Sequence, residues 1–283
     1  MKKIALSTLL VFTSIVWSQT NPVITSWLRN TTGITGRHYV SGNPTPINDA
    51  VLANVQTIQY SNNWVYVTTN GIPAYITGPF LDGNPSLATS RNGAIFRFPL
   101  NPTQNTGTPT NTNGGNIGLF KNGVALFDYR DGVSWKNSTS QVCGGPIMGC
   151  TGDGVWNRDA VYAERVGFDC AKAHPAMGNY HHHQNPSAFN LDLVQLSNIC
   201  ATYPSDGLYV INPNEHSPLI GFTYDGFPVY GPQENGKSVS NTDLDTYHGH
   251  SHATAEFPKG VYHYHITDAD PYINGSGFYG TAG

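Results

Sequence analysis

The feature that most constrains this chain is a hexapeptide that occurs twice. Gly-x-Tyr-His-x-His is read at Gly178-Asn179-Tyr180-His181-His182-His183 and again at Gly260-Val261-Tyr262-His263-Tyr264-His265. A matching hairpin signature precedes each copy. Ile117-Gly118-Leu119 leads through Asn122-Gly123 to Ala125-Leu126-Phe127, and Ile220-Gly221-Phe222 leads through Asp225-Gly226 to Pro228-Val229-Tyr230. Asn-Gly or Asp-Gly between apolar runs is the strongest short-range hairpin cue. Asn101-Pro102 and Asn212-Pro213 stand upstream of the two hairpins. Three landmarks in the same order imply two equivalent β units, spanning about 95–200 and 208–275. We expect them to pack face to face around a common site.

The repeated motif points to a metal. Residues i and i+2 of a strand project to one face, about 6.5 to 7 Å apart. Two imidazoles so placed can converge on one ion at about 2.0 to 2.1 Å. The sharpest expectation is a four-nitrogen site from His181, His183, His263 and His265. His174 and the group His248-Gly249-His250-Ser251-His252 supply further candidates, with His250 and His252 the pair at strand spacing. By the same parity His182, Tyr180, Tyr262 and Tyr264 point to the opposite face and pack in the core. His38 and His216 stand alone and receive no role. Imidazole suits several transition metals, and an all-histidine set leans toward a copper or zinc ion. Asp243/Asp245 and Asp268/Asp270 read as turn caps or as partners that orient a histidine.

Elsewhere strand signals dominate. Trp64–Thr69 is β-branched and aromatic and runs into Asn70-Gly71; Ala94–Phe98 and Leu208–Ile211 each end near Asn-Pro. Helical periodicity is confined to Arg158–Arg165 and Asn190–Ile199. Thr103–Asn116 has almost no apolar residue and reads as a long exposed loop or an internal linker. The fold class is therefore mainly β: two pseudo-repeated β units forming one compact sandwich-like domain, with few short helices. Residues 19–59 form an N-terminal β extension, and 60–283 the repeat-bearing domain.

The first 18 residues have the layout of a secretory signal peptide, with basic Lys2-Lys3, an apolar run from Ile4 to Trp17 and a small residue, Ser18, at the expected cleavage point. The run is too short for a membrane span of about 20 residues, and no later stretch qualifies. The mature chain is thus expected to be secreted or periplasmic, with no membrane contact after cleavage. Fourteen Lys+Arg against 18 Asp+Glu give a net charge of −4, which excludes a basic nucleic-acid surface. Four cysteines in an exported chain favour two disulfides, read as Cys143–Cys150 and Cys170–Cys200.

Tyr262-His263-Tyr264-His265, preceded by Asp225-Gly226-Phe227-Pro228-Val229-Tyr230-Gly231-Pro232, resembles the YHYH domain family. Asn70-Gly71-Ile72-Pro73 and Asp169-Cys170 with His174-Pro175 before Tyr180-His181 add to the resemblance, which covers roughly residues 60–275. His182 departs from the family pattern, where a second Tyr is common. The family implies exported proteins with a suspected metal site and no general reaction.

Three function classes remain open. A metalloenzyme would be a copper-dependent oxidoreductase or, less readily, a zinc hydrolase using metal-bound water. A hydrolase wants a carboxylate base, and Glu164, Glu215, Glu234 and Glu256 are the only glutamates. Glu164 and Glu256 precede their histidine motifs, but a surface role is the simpler reading of both. A non-catalytic protein for metal sequestration or delivery would have a saturated site. A carbohydrate-binding or adhesion module, with small-molecule or glycan partners, would carry structural histidines.

Overall fold

A computed structural model describes residues 21–80, 88–112, 114–130, 134–143, 160–184, 193–206, 212–275 and 277–283. The signal-type segment, Leu208–Ile211 and the expected Cys143–Cys150 pairing lie outside the described residues.

The chain opens with a short helix, α1 (Pro22–Thr25), started by Asn21, whose side chain accepts from the Val23 amide. The Trp27 indole N–H donates to the Val23 carbonyl at 2.6 Å. Strands β1 (Thr35–Val40), β2 (Asn43–Leu52), β3 (Val55–Tyr60), β4 (Trp64–Thr69), β5 (Ile76–Thr77) and β6 (Ala94–Pro99) follow. In β4, Val65, Val67 and Thr69 are buried while the residues between them are half-buried, as strand alternation demands. β4 lies between β3 and β6 in a three-stranded antiparallel sheet, and β1 lies between β2, antiparallel to it, and β5, parallel to it, in a second three-stranded sheet. The polar stretch that follows holds little regular structure beyond β7 (Thr110–Asn111).

The repeats form the second body. The first contributes β8 (Asn116–Phe120), β9 (Ala125–Phe127), the hairpin β10 (Ser134–Lys136) and β11 (Gln141–Cys143), helix α2 (Ala160–Glu164), β12 (His174–Ala176) and β13 (Asn179–His182). Helix α3 (Leu193–Thr202) connects to the second: β14 (Leu219–Thr223), β15 (Pro228–Tyr230), the small hairpin β16 (Gln233–Glu234) and β17 (Lys237–Ser238), β18 (Gly249–His252) and β19 (Val261–His265). β20 (Gly277–Phe278) closes on β7. α2 and α3 fall where the periodicity placed helices.

These strands build one eight-stranded sheet in the order β12-β13-β9-β8-β14-β15-β19-β18. Its halves are related by a local two-fold between β8 and β14, where Leu119 faces Phe222, its own counterpart in the repeat. The face-to-face expectation is corrected here: the units join edge to edge. The physical reason lies in the repeated glycines. A Cβ on Gly118 would collide with the Phe222 carbonyl, and one on Gly221 with the Leu119 carbonyl. Only glycine lets the two strands approach along this seam.

The sandwich is completed by the β3-β4-β6 sheet. Val55, Val65, Val67 and Phe98 pack against Leu119, Leu219, Phe222 and Tyr230, with α1 and Trp27 wedged beside them. Trp27 lies 5.2 Å from both Phe98 and Phe222 between ring centroids. The opposite face carries Tyr180, Tyr262 and Tyr264 into a core with Phe120, Ile220 and Ile266. Cys170 and Cys200 are disulfide-bonded and tie α3 to the segment before β12.

Candidate metal centres

Hairpin register brings the histidines together in pairs. On β12–β13, His174 lies opposite His181; on β18–β19, His250 lies opposite His263. The same scaffold aims each hairpin. Asp169 accepts from the Ala173 amide and the Tyr180 hydroxyl, and Asp245 accepts from the Gly249 amide and the Tyr262 hydroxyl. Between aspartate and histidine, Lys172 and His248 both adopt positive φ, 62° and 74°. The repeat therefore extends to Asp-x-x-Lys/His-x-His, a correspondence at Asp169–His174 and Asp245–His250 that is visible once the hairpins are aligned.

The first centre joins Glu164, His174, His181 and His183, whose ligand-capable atoms all lie within 4.8 Å of one another. Glu164, at the end of α2, places Oε2 2.9 Å from His174 Nε2 and 3.0 Å from His183 Nε2. His181 and His183 face each other through their Nε2 atoms at 3.1 Å. Their Nδ1 atoms meet the carbonyls of Asn179 at 2.8 Å and Asp128 at 2.6 Å. A carbonyl oxygen only accepts, so each Nδ1 carries a proton and each Nε2 is left to the centre. Burial, with His183 and His174 nearby, holds the His181 pKa well below the imidazole range. Burial works the same way on His183, but the hydrogen bond and charge of Glu164 outweigh it and raise its pKa. Burial opposes ionisation of Glu164, yet the two imidazoles pull its pKa well down. Asp128 is fully buried and ion-paired to Arg130 at 2.8 Å, which anchors the carbonyl that orients His183.

The second centre comprises His216, His250, His252, His263 and His265 with Glu234, in two overlapping groups that share His252 and His265. Here too Nδ1 is spent on carbonyls: His216 on Ser217, His252 on Ala253, His263 on Val261 and His265 on Gly231, at 2.7 to 3.0 Å. His250 is also hydrogen-bonded to the Asp243 backbone. His250 and His252 bring their Nε2 atoms to 3.1 Å, and Glu234 Oε1 lies 2.9 Å from His252 Nε2. The Nε2 atoms of His216, His263 and His265 are buried with no hydrogen-bond partner among the described residues. Burial pushes the pKa of His263 down to about 3 and of His265 to about 2. The histidines of this centre are the more open, with the His250 and His252 side chains 25% and 30% exposed against 8% and 4% for His174 and His183.

The structure separates the two His-x-His pairs instead of bringing them to one ion. From β13 to β19 is five strand steps, about 24 Å at about 4.8 Å each. Repeat symmetry about an edge-to-edge seam sends equivalent residues outward to opposite ends of the sheet, so each pair finds its partners within its own unit. His174, His250 and His252 do join the centres. His216, given no role from sequence, joins the second; its position has no counterpart in the pattern of the repeat. Glu164 is a centre residue and not a surface one. Glu256 instead accepts from the Tyr230 hydroxyl at 2.9 Å. His248 stays outside both centres, bonded to Asn241 and Thr267. His38 pairs with Asp49 at 2.7 Å on the N-terminal sheet. His182 projects to the back face as parity requires, beside Tyr75 and Tyr180.

A family model described as YHYH protein matches residues 95–242 and 233–277. No curated protein and no solved structure matches the chain. The family match spans both repeats and every histidine of both centres, and the chain belongs to the YHYH protein family.

Proposed function

We propose that this chain is an exported metalloprotein that binds copper or zinc at two independent histidine centres. The observation that carries the reading is the convergence of Nε2 atoms whose partner nitrogens are already committed to carbonyls. In the second centre the buried His263 and His265 Nε2 atoms have no hydrogen-bond partner among the described residues. Burying such groups unpaired costs about 1–3 kcal/mol each. A cation bound at about 2.0 to 2.1 Å relieves that cost at several atoms together.

The two centres support different roles. Three imidazoles and one carboxylate fill a four-coordinate shell, and Glu164 with its histidines is largely buried, so the first centre suits a closed, structural ion. The partly exposed second centre is the one suited to exchange an ion with solvent or to hold a substrate. With copper it would support oxidoreductase chemistry, and without turnover it would serve sequestration or delivery. The N-terminal segment Met1–Ser18 supports export to the periplasm or beyond. Among the described residues no helix is long and apolar enough to cross a membrane.

Elemental analysis of residues 19–283, purified without a polyhistidine tag, tests the reading. Two distinct losses are expected: one equivalent in His181→Ala/His183→Ala and a separate one in His263→Ala/His265→Ala. Absence of copper and zinc, even after reconstitution, would refute it. Oxygen or peroxide consumption by the copper-loaded protein then separates oxidoreductase from carrier.

A further inference from the structure

Away from both centres, a half-enclosed cavity of about 360 Å³ opens between the N-terminal strands and the central seam of the large sheet. Its walls are apolar: Leu28, Phe120, Leu219 and Ile220. Its floor is polar but self-satisfied. Tyr75 donates to His182 Nε2 at 2.7 Å, and His182 Nδ1 meets the Lys172 carbonyl at 3.2 Å. At the rim Arg37 is neutralised by Asp206 at 2.7 Å and also donates to the Ala74 carbonyl at 2.8 Å.

Lys121 is the remaining charge of the lining. Its backbone is fixed at the seam, the amide donating to Ile220 and the carbonyl accepting from Leu28. Burial lowers the Lys121 pKa, and Glu256 is the carboxylate whose charge counters this. That carboxylate already accepts from Tyr230. Counting Arg37, Asp206 and Lys121, the lining carries one net positive charge against apolar walls. The volume falls at the lower end of the range of about 300–1,000 Å³ typical of small-molecule sites.

We propose that this cavity binds a small apolar-bodied monoanion, its head group on Lys121 and its body between Leu219, Ile220, Phe120 and Leu28. It is a ligand site separate from the metal centres, on the side of the sheet to which His182 points. The ligand class is that of medium-chain or aromatic carboxylates. Dianions are disfavoured because the lining carries a single net positive charge, and neutral apolar molecules because they gain no ion pair with Lys121.

The test uses the mature chain and 1-anilinonaphthalene-8-sulfonate as a fluorescent monoanionic probe, with octanoate and octan-1-ol as competitors. Saturable one-to-one binding is expected, with octanoate displacing the probe at least tenfold more effectively than octan-1-ol. Lys121→Gln should weaken probe and octanoate roughly tenfold or more, the scale of one charge-assisted hydrogen bond. Ala74→Phe, which narrows the cavity without altering its charge, should weaken both and leave thermal stability near that of the parent. Absence of saturable binding, equal competition by octan-1-ol, or unchanged affinity in both variants would overturn the proposal.

Discussion

Tyr264→Phe tests whether the tyrosines of the motif brace the sheet while its histidines serve the centre. Tyr264 is fully buried on the back face. Its hydroxyl donates to Asp225 Oδ2 at 2.7 Å and accepts from the Tyr279 amide at 2.8 Å. Asp225 is itself fully buried and also accepts from the Gly280 amide at 2.8 Å. Removing one oxygen therefore strips a donor from a buried carboxyl group and strands a partly buried N–H. A hydrogen bond to a charged group contributes about 1.5–3 kcal/mol and an orphaned donor costs about 1–3 kcal/mol, so a loss of about 3–5 kcal/mol is expected. At about 2–4 °C per kcal/mol this lowers Tm by about 10 °C. Metal content at 20 °C should stay full, because no centre atom moves. Calorimetry of the metal-free protein, with elemental analysis of the loaded protein, reads both quantities. Loss of metal from a folded variant would refute the division of labour between the two faces. An unchanged Tm would refute the brace.

The two centres should release metal at different pH. Glu164 raises the His183 pKa above its ordinary value, so protons compete for the first centre earlier as pH falls. His263 and His265, held near 3 and 2, resist protonation until far lower pH. The second centre should therefore retain its ion to lower pH, and a pH titration of metal release in each double variant checks the order. Glu164→Gln should weaken the first centre by about 10- to 100-fold without affecting the second, measured by competition with a chelator. Replacing Cys170 and Cys200 with Ala opens a loop of sequence separation 30 and should cost about 3–4 kcal/mol in denaturant unfolding. Chelation of both ions should lower Tm in a manner that depends on metal concentration, and readdition should restore it.

Much of this molecule is local in origin and so could be read along the chain. Strand alternation in Trp64–Thr69, the Asn122-Gly123 and Asp225-Gly226 turns, and the two-residue spacing of His181/His183 and His263/His265 depend on neighbours a few residues apart. Gly123 and Gly226 sit at φ 80° and 85°, as such turns require. The front-and-back sorting of His and Tyr follows from the same parity. Repetition made the second unit predictable from the first, and the even cysteine count pointed to disulfides, of which the Cys170–Cys200 pairing is present.

How the units meet is a different kind of fact. Edge-to-edge joining through Gly118 and Gly221 depends on backbone approach between strands about a hundred residues apart, and a glycine in a strand can signal a bulge or a turn equally well. That choice sends the histidine pairs to opposite ends of one sheet, making two centres where the repeated spacing suggested one. It also sets which distant residues complete them. Glu164 arrives on the end of a short helix, while His216 and Glu234 come from irregular chain and a two-residue strand. None of the three carries a local pattern that distinguishes it from a surface residue. The histidine pairs at the hairpins were legible because strand geometry fixes their spacing, whereas the clusters they join required the chain to be folded.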